Sequence, residues 1–95
     1  MSAYVIVEIK VNDPERYENY KKLVPSSLQA YGGKFLVRGG EFEVLEGNWK
    51  PNRIVIFEFE SVERARAWHE SPEYAEALAL RLATTDSKLL IVDGV

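Results

Sequence analysis

Two segments of the chain, residues 3–11 and 53–59, predict strands that are apolar on both faces. Successive side chains of a strand point to opposite faces of its sheet. One face takes only apolar residues: Ala3, Val5, Val7, Ile9 and Val11 from the first segment and Val55, Phe57 and Phe59 from the second. The other face takes Tyr4, Ile6, Ile54 and Ile56 before it turns polar at Glu8, Lys10 and Glu58. A sheet with one wet face alternates between apolar and polar residues, so this pattern predicts a sheet that is covered on both sides.

A long helix follows the first strand. Its predicted start is Asp13, whose carboxylate can accept from the free amides of the first turn, and its predicted end is the glycine pair at 32–33. Pro25 lies inside this helix and predicts either a kink or a separate last turn capped by Ser26 or Ser27.

The rest of the chain alternates between extended and helical segments. Ser61 and Ser71 each precede a helical pattern, the first running to about residue 70 and the second to about residue 83. The further predicted strands are Lys34–Arg38, Glu41–Glu46 after a Gly39-Gly40 turn, and Lys88–Asp93. The order predicts one α+β domain over residues 1–95, a ferredoxin-like βαββαβ sandwich with two helices on one face of an antiparallel-rich sheet.

Two helices cover only one face of such a sheet. A chain of 95 residues buries only about two thirds of its unfolded surface, so its stability margin is thin. A second copy is therefore the predicted cover for the other face, and the alternative is partial exposure of Tyr4, Ile6, Ile54 and Ile56.

The composition removes several classes of function. The chain has no cysteine and one histidine, which leaves out disulfides and zinc–thiolate sites, and no spacing of Asp and Glu fits a calcium loop. A net charge of −3 with scattered basic residues argues against nucleic-acid binding. The first strand is interrupted by Glu8 and Lys10, so it fits neither a signal peptide nor a membrane span. We expect a cytoplasmic protein without a cofactor.

Arg81 is the strongest candidate for a ligand contact. It shares a helical stripe with Tyr74 and Leu78 and so points toward the sheet. A buried guanidinium requires a partner. That partner is either the carboxylate of a ligand, which arginine grips with two parallel hydrogen bonds, or an internal carboxylate from Glu8, Glu58 or Asp86.

Four further residues are weaker candidates. Arg38 precedes a glycine pair whose amides could form an anion-binding nest, or it is simply solvated beside a turn. The unperturbed pKa of histidine suits a general acid or base near neutral pH, which makes His69 a catalytic candidate. A lone histidine near a helix end is more often a surface residue. Of the two neighbours, Trp68 is the better candidate for burial. Tyr17 and Tyr74 line either a pocket or the core.

Two acidic residues, Glu8 and Glu58, are predicted at matching places of the two central strands. They form either a shared carboxylate site or interface pairs with Lys10, Arg53 or a partner residue.

Several motifs together resemble the domain of unknown function 1330 (DUF 1330) family of the dimeric α/β-barrel superfamily. They are the run Tyr31–Gly40 with its two glycine pairs, Glu46-Gly47-Asn48-Trp49, Ala67–Tyr74 with its Ser-Pro-Glu-Tyr helix start, Arg81, and Asp93-Gly94. The resemblance covers the whole chain and implies a ferredoxin-like homodimer whose sheets close face to face. The family more often has tyrosine after Trp68, so a proton-transfer role of His69 would be particular to this protein.

The resemblance implies no known activity. The residues predict that a small anionic or aromatic metabolite binds between the sheet and the helices, with Arg81, Tyr74, Arg38 and Tyr17 as contacts and His69 as a weak catalytic candidate. Members of the wider superfamily include cofactor-free monooxygenases and isomerases, so such an enzyme is one alternative. A non-catalytic dimeric interaction module is the other.

Overall fold

A computed structural model describes residues 2–95 and contains a four-stranded antiparallel sheet with the helices packed on one face. The elements, in chain order, are β1 (Ala3–Val11), α1 (Pro14–Ala30), β2 (Lys34–Arg38), β3 (Arg53–Phe59), α2 (Val62–His69), α3 (Pro72–Thr84) and β4 (Thr85–Asp93). The strands lie in the order β2-β3-β1-β4, which confirms that β1 and β3 are central. The α+β ferredoxin-like fold is therefore as predicted.

The predicted helix caps are present. The side chains of Asp13, Ser61 and Ser71 accept from the backbone amides three residues ahead at 3.2, 3.1 and 3.1 Å. Gly32 adopts φ +73°, and the Gly33 amide donates to the Leu28 carbonyl at 2.9 Å. This is the left-handed ending that satisfies the last carbonyls of α1.

Gly33 has a second role in packing. A β-carbon at this position would lie 2.6 Å from Cε1 of Phe59. The absence of a side chain thus lets the Phe59 ring close over the end of α1.

The core lies between the helices and the inner face of the sheet. The apolar face of β1 and β3 that the sequence predicted is buried here. Trp68 of α2 is fully buried, which confirms the prediction, and its ring centroid lies 5.3 Å from Phe57, 5.4 Å from Phe59 and 4.1 Å from Tyr74. The Trp68 indole Nε1 donates to Ser27 Oγ at 3.1 Å, and Ser27 Oγ donates to the Val24 carbonyl at 2.8 Å.

One local prediction is wrong, and one of the two alternatives given for Pro25 is not realised. Residues 41–46 form no strand, because their backbone finds no partner in the subunit and every residue from 41 to 50 is exposed. Helix α1 is not split at Pro25 but continues to Ala30, with Ser27 buried inside it. Because proline has no amide hydrogen, one carbonyl of the preceding turn has no hydrogen-bond donor within the helix. That carbonyl belongs to Lys21, and the side chain of Arg38 donates to it.

The outer face of the sheet is open. Tyr4, Ile6, Ile54 and Ile56 are partly exposed, and on β4 Leu90 and Val92 expose 54% and 43% of their surface. The helices lie on the opposite face, so no helix of residues 2–95 covers this one, and Trp49 of the β2–β3 connection only borders it. None of the helices described is long and apolar enough to cross a membrane.

The Ser27–Trp68 hydrogen bond makes a prediction for stability. Ser27→Ala leaves the buried indole N–H without an acceptor, which costs about 1–3 kcal/mol of unfolding free energy. Ser26→Ala is the matched control, because Ser26 is exposed and its hydroxyl reaches only the Leu23 carbonyl at 3.3 Å. Urea unfolding followed by far-UV circular dichroism measures both. Equal losses in the two variants would contradict the proposed role of Ser27.

Candidate functional site

A narrow cleft lies between α1 and the inner face of the sheet, near the β2 edge. The cleft and its mouth together have about 290 Å³ that no atom of the protein fills. The cleft is so narrow that the centre of a water molecule can lie in only about 10 Å³ of this space. That is about the room of one water, so a larger guest needs the rim side chains to move. The wall is mostly apolar and the polar groups lie at the rim; the lining residues are Val7, Ile9, Tyr17, Tyr20, Lys21, Val24, Phe35, Arg38, Arg53, Val55 and Phe57.

Arg38 is held at this rim by the proline in α1. Pro25 has no amide hydrogen for the carbonyl of Lys21, four residues earlier. Arg38 Nη2 donates to that carbonyl at 3.1 Å, and its guanidinium carbon lies 4.3 Å from the centroid of the Phe35 ring. Arg38 is therefore oriented over the cleft. The glycine nest considered from the sequence is a separate feature of the following turn.

Arg53 is a cleft residue that the sequence analysis did not single out. Its predicted role was a partner of Glu8 or Glu58 on the outer face. It pairs in register with Ile9, on the inner face, and its guanidinium carbon lies 5.9 Å from the Tyr17 ring centroid. Its Nε is buried and has no hydrogen-bond partner. The only indication of this role in the sequence was that Arg53 begins a strand and precedes Val55, an inner-face residue, by two positions.

The base of the β2–β3 connection is fitted to Arg53. Gly39 has φ +71°, and a β-carbon there would overlap the Arg53 guanidinium. The Gly39 amide donates to the Ile54 carbonyl at 2.9 Å. The left-handed conformation favours glycine at this position, and any side chain there would also displace the Arg53 guanidinium.

The cleft is electrostatically positive. Lys21, Arg38 and Arg53 line it, and no lining residue is acidic. Lys21 is paired with Glu18 at 3.1 Å, whereas neither arginine is in an ion pair among residues 2–95. Burial raises the pKa of the Tyr17 hydroxyl, and the positive charge of Arg53 opposes that rise. Tyr17 is thus a neutral hydrogen-bonding group between two cations at neutral pH.

The other predicted site residues form a second cluster, behind Tyr20. Tyr20 stacks on Tyr17 at 5.3 Å between ring centroids, and its hydroxyl is 3.1 Å from that of Tyr74. Burial raises the pKa of the Tyr20 hydroxyl, and the Tyr74 hydroxyl adds to the rise. Arg81 Nε donates to the Tyr74 hydroxyl at 3.3 Å, and Arg81 Nη1 donates to Ser87 Oγ at 2.5 Å. Arg38 and Tyr17 therefore share the cleft, and Tyr74 and Arg81 lie in the core beyond it.

Arg81 is buried, with 4% of its surface exposed. The internal ion pair with Glu8, Glu58 or Asp86 is not formed: no salt bridge of the described chain includes Arg81. Its contacts are hydroxyls instead. Whether Arg81 and Tyr74 contact a ligand stays a prediction.

His69 belongs to this second cluster. Its ring centroid is 6.2 Å from that of Tyr74 and 6.3 Å from that of Trp68. Burial lowers the pKa of His69, and the charge of Arg81 lowers it further. His69 does not line the cleft, so a catalytic role there stays a prediction without a geometric contact.

The shared carboxylate site of Glu8 and Glu58 is not formed. The antiparallel register places Glu58 opposite Tyr4 and Glu8 opposite Ile54, so the two residues lie toward opposite ends of the strand pair. Glu58 pairs with Lys34 at 3.2 Å. A hydrogen bond from Ser2 and the interaction with Lys34 lower the pKa of Glu58.

A wider hollow, with about 1000 Å³ of space not filled by atoms when its open mouth is included, lies on the outer face of the sheet and is lined by Ile6, Ile54, Ile56, Leu90 and Trp49 among others. We do not assign it as the ligand site, although it is larger. It is the shallow apolar surface of a sheet whose predicted cover is a second copy.

The fold and the inner cleft define a class of small ferredoxin-like α+β proteins. Within this class the chain belongs to the family described as "Domain of unknown function (DUF1330)", whose model matches residues 2–95. No functionally curated protein matches it.

Three similar solved structures come from different organisms. Protein RPA0582 of unknown function from Rhodopseudomonas palustris is 20% identical, with a TM-score of 0.79 over 99% of this chain and 82% of that one. A dimeric ferredoxin-like protein of unknown function from Jannaschia sp. CCS1 is 9% identical, with a TM-score of 0.74 over 99% and 100% of the two chains. SnoaB, a cofactor-independent oxygenase from Streptomyces nogalater, is 14% identical, with a TM-score of 0.67 over 99% and 93%. At these identities the likeness establishes the fold alone.

The hydroxyl contacts of Arg81 make a prediction. Tyr74 keeps Tyr20 as a partner, and Ser87 keeps the Thr85 hydroxyl at 3.1 Å, if the guanidinium is removed. Arg81→Met should therefore change the unfolding free energy by less than about 1 kcal/mol. The methionine side chain fills the space of the arginine and has no charge that must be desolvated on folding. Arg81→Ala should lower it by about 2–4 kcal/mol because it leaves a void. Urea unfolding measures both, and a loss above about 3 kcal/mol in Arg81→Met would show that the charge itself is needed for stability.

Proposed function

We propose that the protein binds a small anionic metabolite with a planar apolar body in the cleft between α1 and the sheet. The observation that carries this proposal is the pair of guanidiniums, Arg38 and Arg53, at the rim of an apolar cleft that has no acidic lining residue. Cations so placed attract a carboxylate or a similar anion, and arginine binds such groups through paired hydrogen bonds.

The shape of the cleft favours a flat guest. Its walls include the rings of Tyr17, Phe35 and Phe57, and the Phe35 and Phe57 centroids are 5.2 Å apart. Aromatic walls bind planar apolar groups well. Arg38 is exposed and held mainly by one hydrogen bond, so it is the side chain that can move to admit a ligand.

Cofactor-free catalysis is the alternative, supported only by the fold shared with SnoaB. The geometry favours binding over catalysis, because His69 lies outside the cleft and the pKa of Tyr17 is raised. A phenol whose pKa is raised stays protonated at neutral pH, so little of it is present as the phenolate that could act as a base.

The binding proposal is tested with benzoate and its uncharged isostere benzamide. In a thermal-shift titration, benzoate should stabilise the protein, by about 2.7 kcal/mol at a hundred times its dissociation constant. Benzamide should give little shift, since it offers no anion to the arginines. Further aromatic carboxylates extend the series.

Variants locate the site. Arg38→Gln and Arg53→Gln should each weaken benzoate binding at least tenfold, the loss of one charged hydrogen bond. Arg66→Gln is the matched control, because Arg66 is an exposed arginine of α2 that does not line the cleft. No shift by any aromatic carboxylate, or equal shifts in all three variants, would contradict the proposal and leave the non-catalytic interaction module.

We also propose that the functional unit is a homodimer joined through the outer face of the sheet. Several similar solved structures are described as dimeric ferredoxin-like proteins. The outer face carries the apolar surface that such an interface requires, from Ile6 and Ile56 in the centre to Leu90 on β4. Removal of this surface from water is the driving force for the association.

Sedimentation equilibrium tests the dimer. The chain should sediment at twice its monomer mass, and Ile56→Glu should shift it to the monomer because it places a charge in the middle of the interface. Leu82→Glu is the control: Leu82 is 63% exposed but lies on α3, away from the outer face. A monomeric parent chain, or dissociation by both variants, would contradict this interface.

A further inference from the structure

A chain of buried hydrogen-bond donors runs from Arg81 to the wall of the cleft. Arg81 Nε donates to the Tyr74 hydroxyl at 3.3 Å, and the Tyr74 hydroxyl lies 3.1 Å from the Tyr20 hydroxyl. All three residues are buried, and none exposes more than 4% of its surface. Only Tyr20 of the three lines the cleft between α1 and the sheet. Any effect of this chain on a bound ligand is therefore exerted through Tyr20.

The chain has more hydrogens than acceptors. A guanidinium only donates, and each phenol supplies one hydrogen. The Tyr74 oxygen accepts the hydrogen of Arg81 Nε, and one phenol hydrogen lies between the two tyrosine oxygens. The second phenol hydrogen has no acceptor among residues 2–95, because neither hydroxyl has another hydrogen-bond partner there. A buried donor without an acceptor is costly.

Arg81 sets the direction of the Tyr74–Tyr20 hydrogen bond. An oxygen that accepts from a cation becomes a stronger donor, because the hydrogen bonds of a chain polarise one another. Tyr74 therefore donates to Tyr20, and the hydrogen without an acceptor is that of Tyr20. The opposite direction would leave this hydrogen on Tyr74, which is fully buried and does not line the cleft. The Tyr20 hydroxyl is thus a donor at the wall of the cleft.

The charge of Arg81 favours an acceptor that carries negative charge. The other hydrogen bond of the guanidinium goes to Ser87 Oγ, at 2.5 Å from Nη1, and no salt bridge of residues 2–95 includes Arg81. The positive charge is therefore not balanced by a carboxylate. Hydrogen bonds that depend on a charged group are roughly twice as strong as neutral ones.

Tyr17 separates the Arg53 guanidinium from Tyr20 along the wall of the cleft. The guanidinium carbon of Arg53 lies 5.9 Å from the Tyr17 ring centroid, and the Tyr17 ring stacks on Tyr20 at 5.3 Å between centroids. A planar ligand whose anionic group is bound by the arginines at the rim therefore extends along Tyr17 toward Tyr20.

We infer that the Tyr20 hydroxyl, aligned by Tyr74 and Arg81, donates to a second oxygen of the ligand. The cleft then selects planar anions that carry a carbonyl, phenolate or carboxylate oxygen on the side away from the group bound by Arg38 and Arg53. This inference rests on the proposed binding function and adds a second point of recognition to it. Tyr20 determines the specificity, and Tyr74 and Arg81 are positioning residues.

A pair of ligands that differ in one atom group tests the inference. 4-Acetylbenzoate has a carbonyl oxygen where 4-isopropenylbenzoate has a methylene group, and the two are otherwise alike in shape and charge. The parent chain should bind the acetyl compound about fivefold more tightly or better, the effect of one hydrogen bond. Without a donor the isopropenyl compound should bind more tightly, because the carbonyl loses its hydration. Calorimetric titration measures both, and the 3-substituted pair is measured alongside.

Variants assign the preference to the donor chain. Tyr20→Phe should abolish or reverse it. Arg81→Met should lower it about twofold, because the Tyr20 hydroxyl is then available only when the hydrogen bond to Tyr74 has the productive direction. Tyr31→Phe is the matched control and should keep the preference, since the Tyr31 hydroxyl donates to Glu73 at 2.9 Å and Tyr31 does not line the cleft. The ratio of the two affinities cancels changes in packing that affect both ligands.

Infrared difference spectroscopy gives a readout that does not depend on affinity. A hydrogen bond weakens the carbonyl bond, so the stretching frequency of bound acetylbenzoate should be lower in the parent and in Tyr31→Phe than in Tyr20→Phe. If Tyr20→Phe does not fold, the comparison is made with Arg81→Met, in which the frequency should also be higher than in the parent. An equal frequency in the parent and the variant contradicts the hydrogen bond.

The outcomes separate this inference from the proposed function. Binding of no aromatic carboxylate overturns the proposed function and the inference together. Binding of benzoate without a preference for the acetyl compound of either pair, or with a preference that Tyr20→Phe keeps, overturns the inference alone. A preference that is lost in Tyr20→Phe but is undiminished in Arg81→Met overturns the role of Arg81 in aligning the donor.

Discussion

The burial of Trp68 is the interaction on which the rest of the structure depends. Its ring lies between the sheet, through Phe57 and Phe59, and the start of α3, through Tyr74, and its indole nitrogen is bound to Ser27 of α1. One side chain therefore joins three helices to β3. The burial of such a ring and the pairing of its only polar atom hold the helical layer at a fixed height above the sheet.

The cleft lies in the space that this fixed height leaves between α1 and the sheet. α1 passes over the sheet near β2, and the proline in its middle leaves the Lys21 carbonyl to Arg38. Pro25, which interrupts the hydrogen bonds of α1, thus places the Arg38 guanidinium at the rim of the cleft. On the opposite side, the register of β3 turns Arg53 inward, with a buried Nε that no group of the described chain satisfies. An unpaired donor in a positive apolar cleft is costly unless something else binds there.

The polar residues of the core divide into two groups that the sequence could not separate. Tyr17, Arg38 and Arg53 line the cleft, whereas Tyr74, Arg81 and His69 lie beyond Tyr20. The Tyr20–Tyr74 hydroxyl contact connects the groups. Helical spacing correctly predicted that Arg81 points inward, but spacing carries no information on which groups meet it from other elements. The partners are the hydroxyls of Tyr74 and Ser87 instead of a carboxylate.

The sequence by itself determined the order of elements, the caps, the glycine ending of α1 and the inner face of the two central strands. These features depend on local backbone preferences and on the two-residue period of a strand, which are written in neighbouring residues. Only the tertiary structure decided that Glu8 and Glu58 are far apart, that Arg53 faces the cleft, and that residues 41–46 have no strand partner in their own subunit. Those outcomes depend on register and on contacts between elements distant in the chain, and no local pattern of residues specifies them.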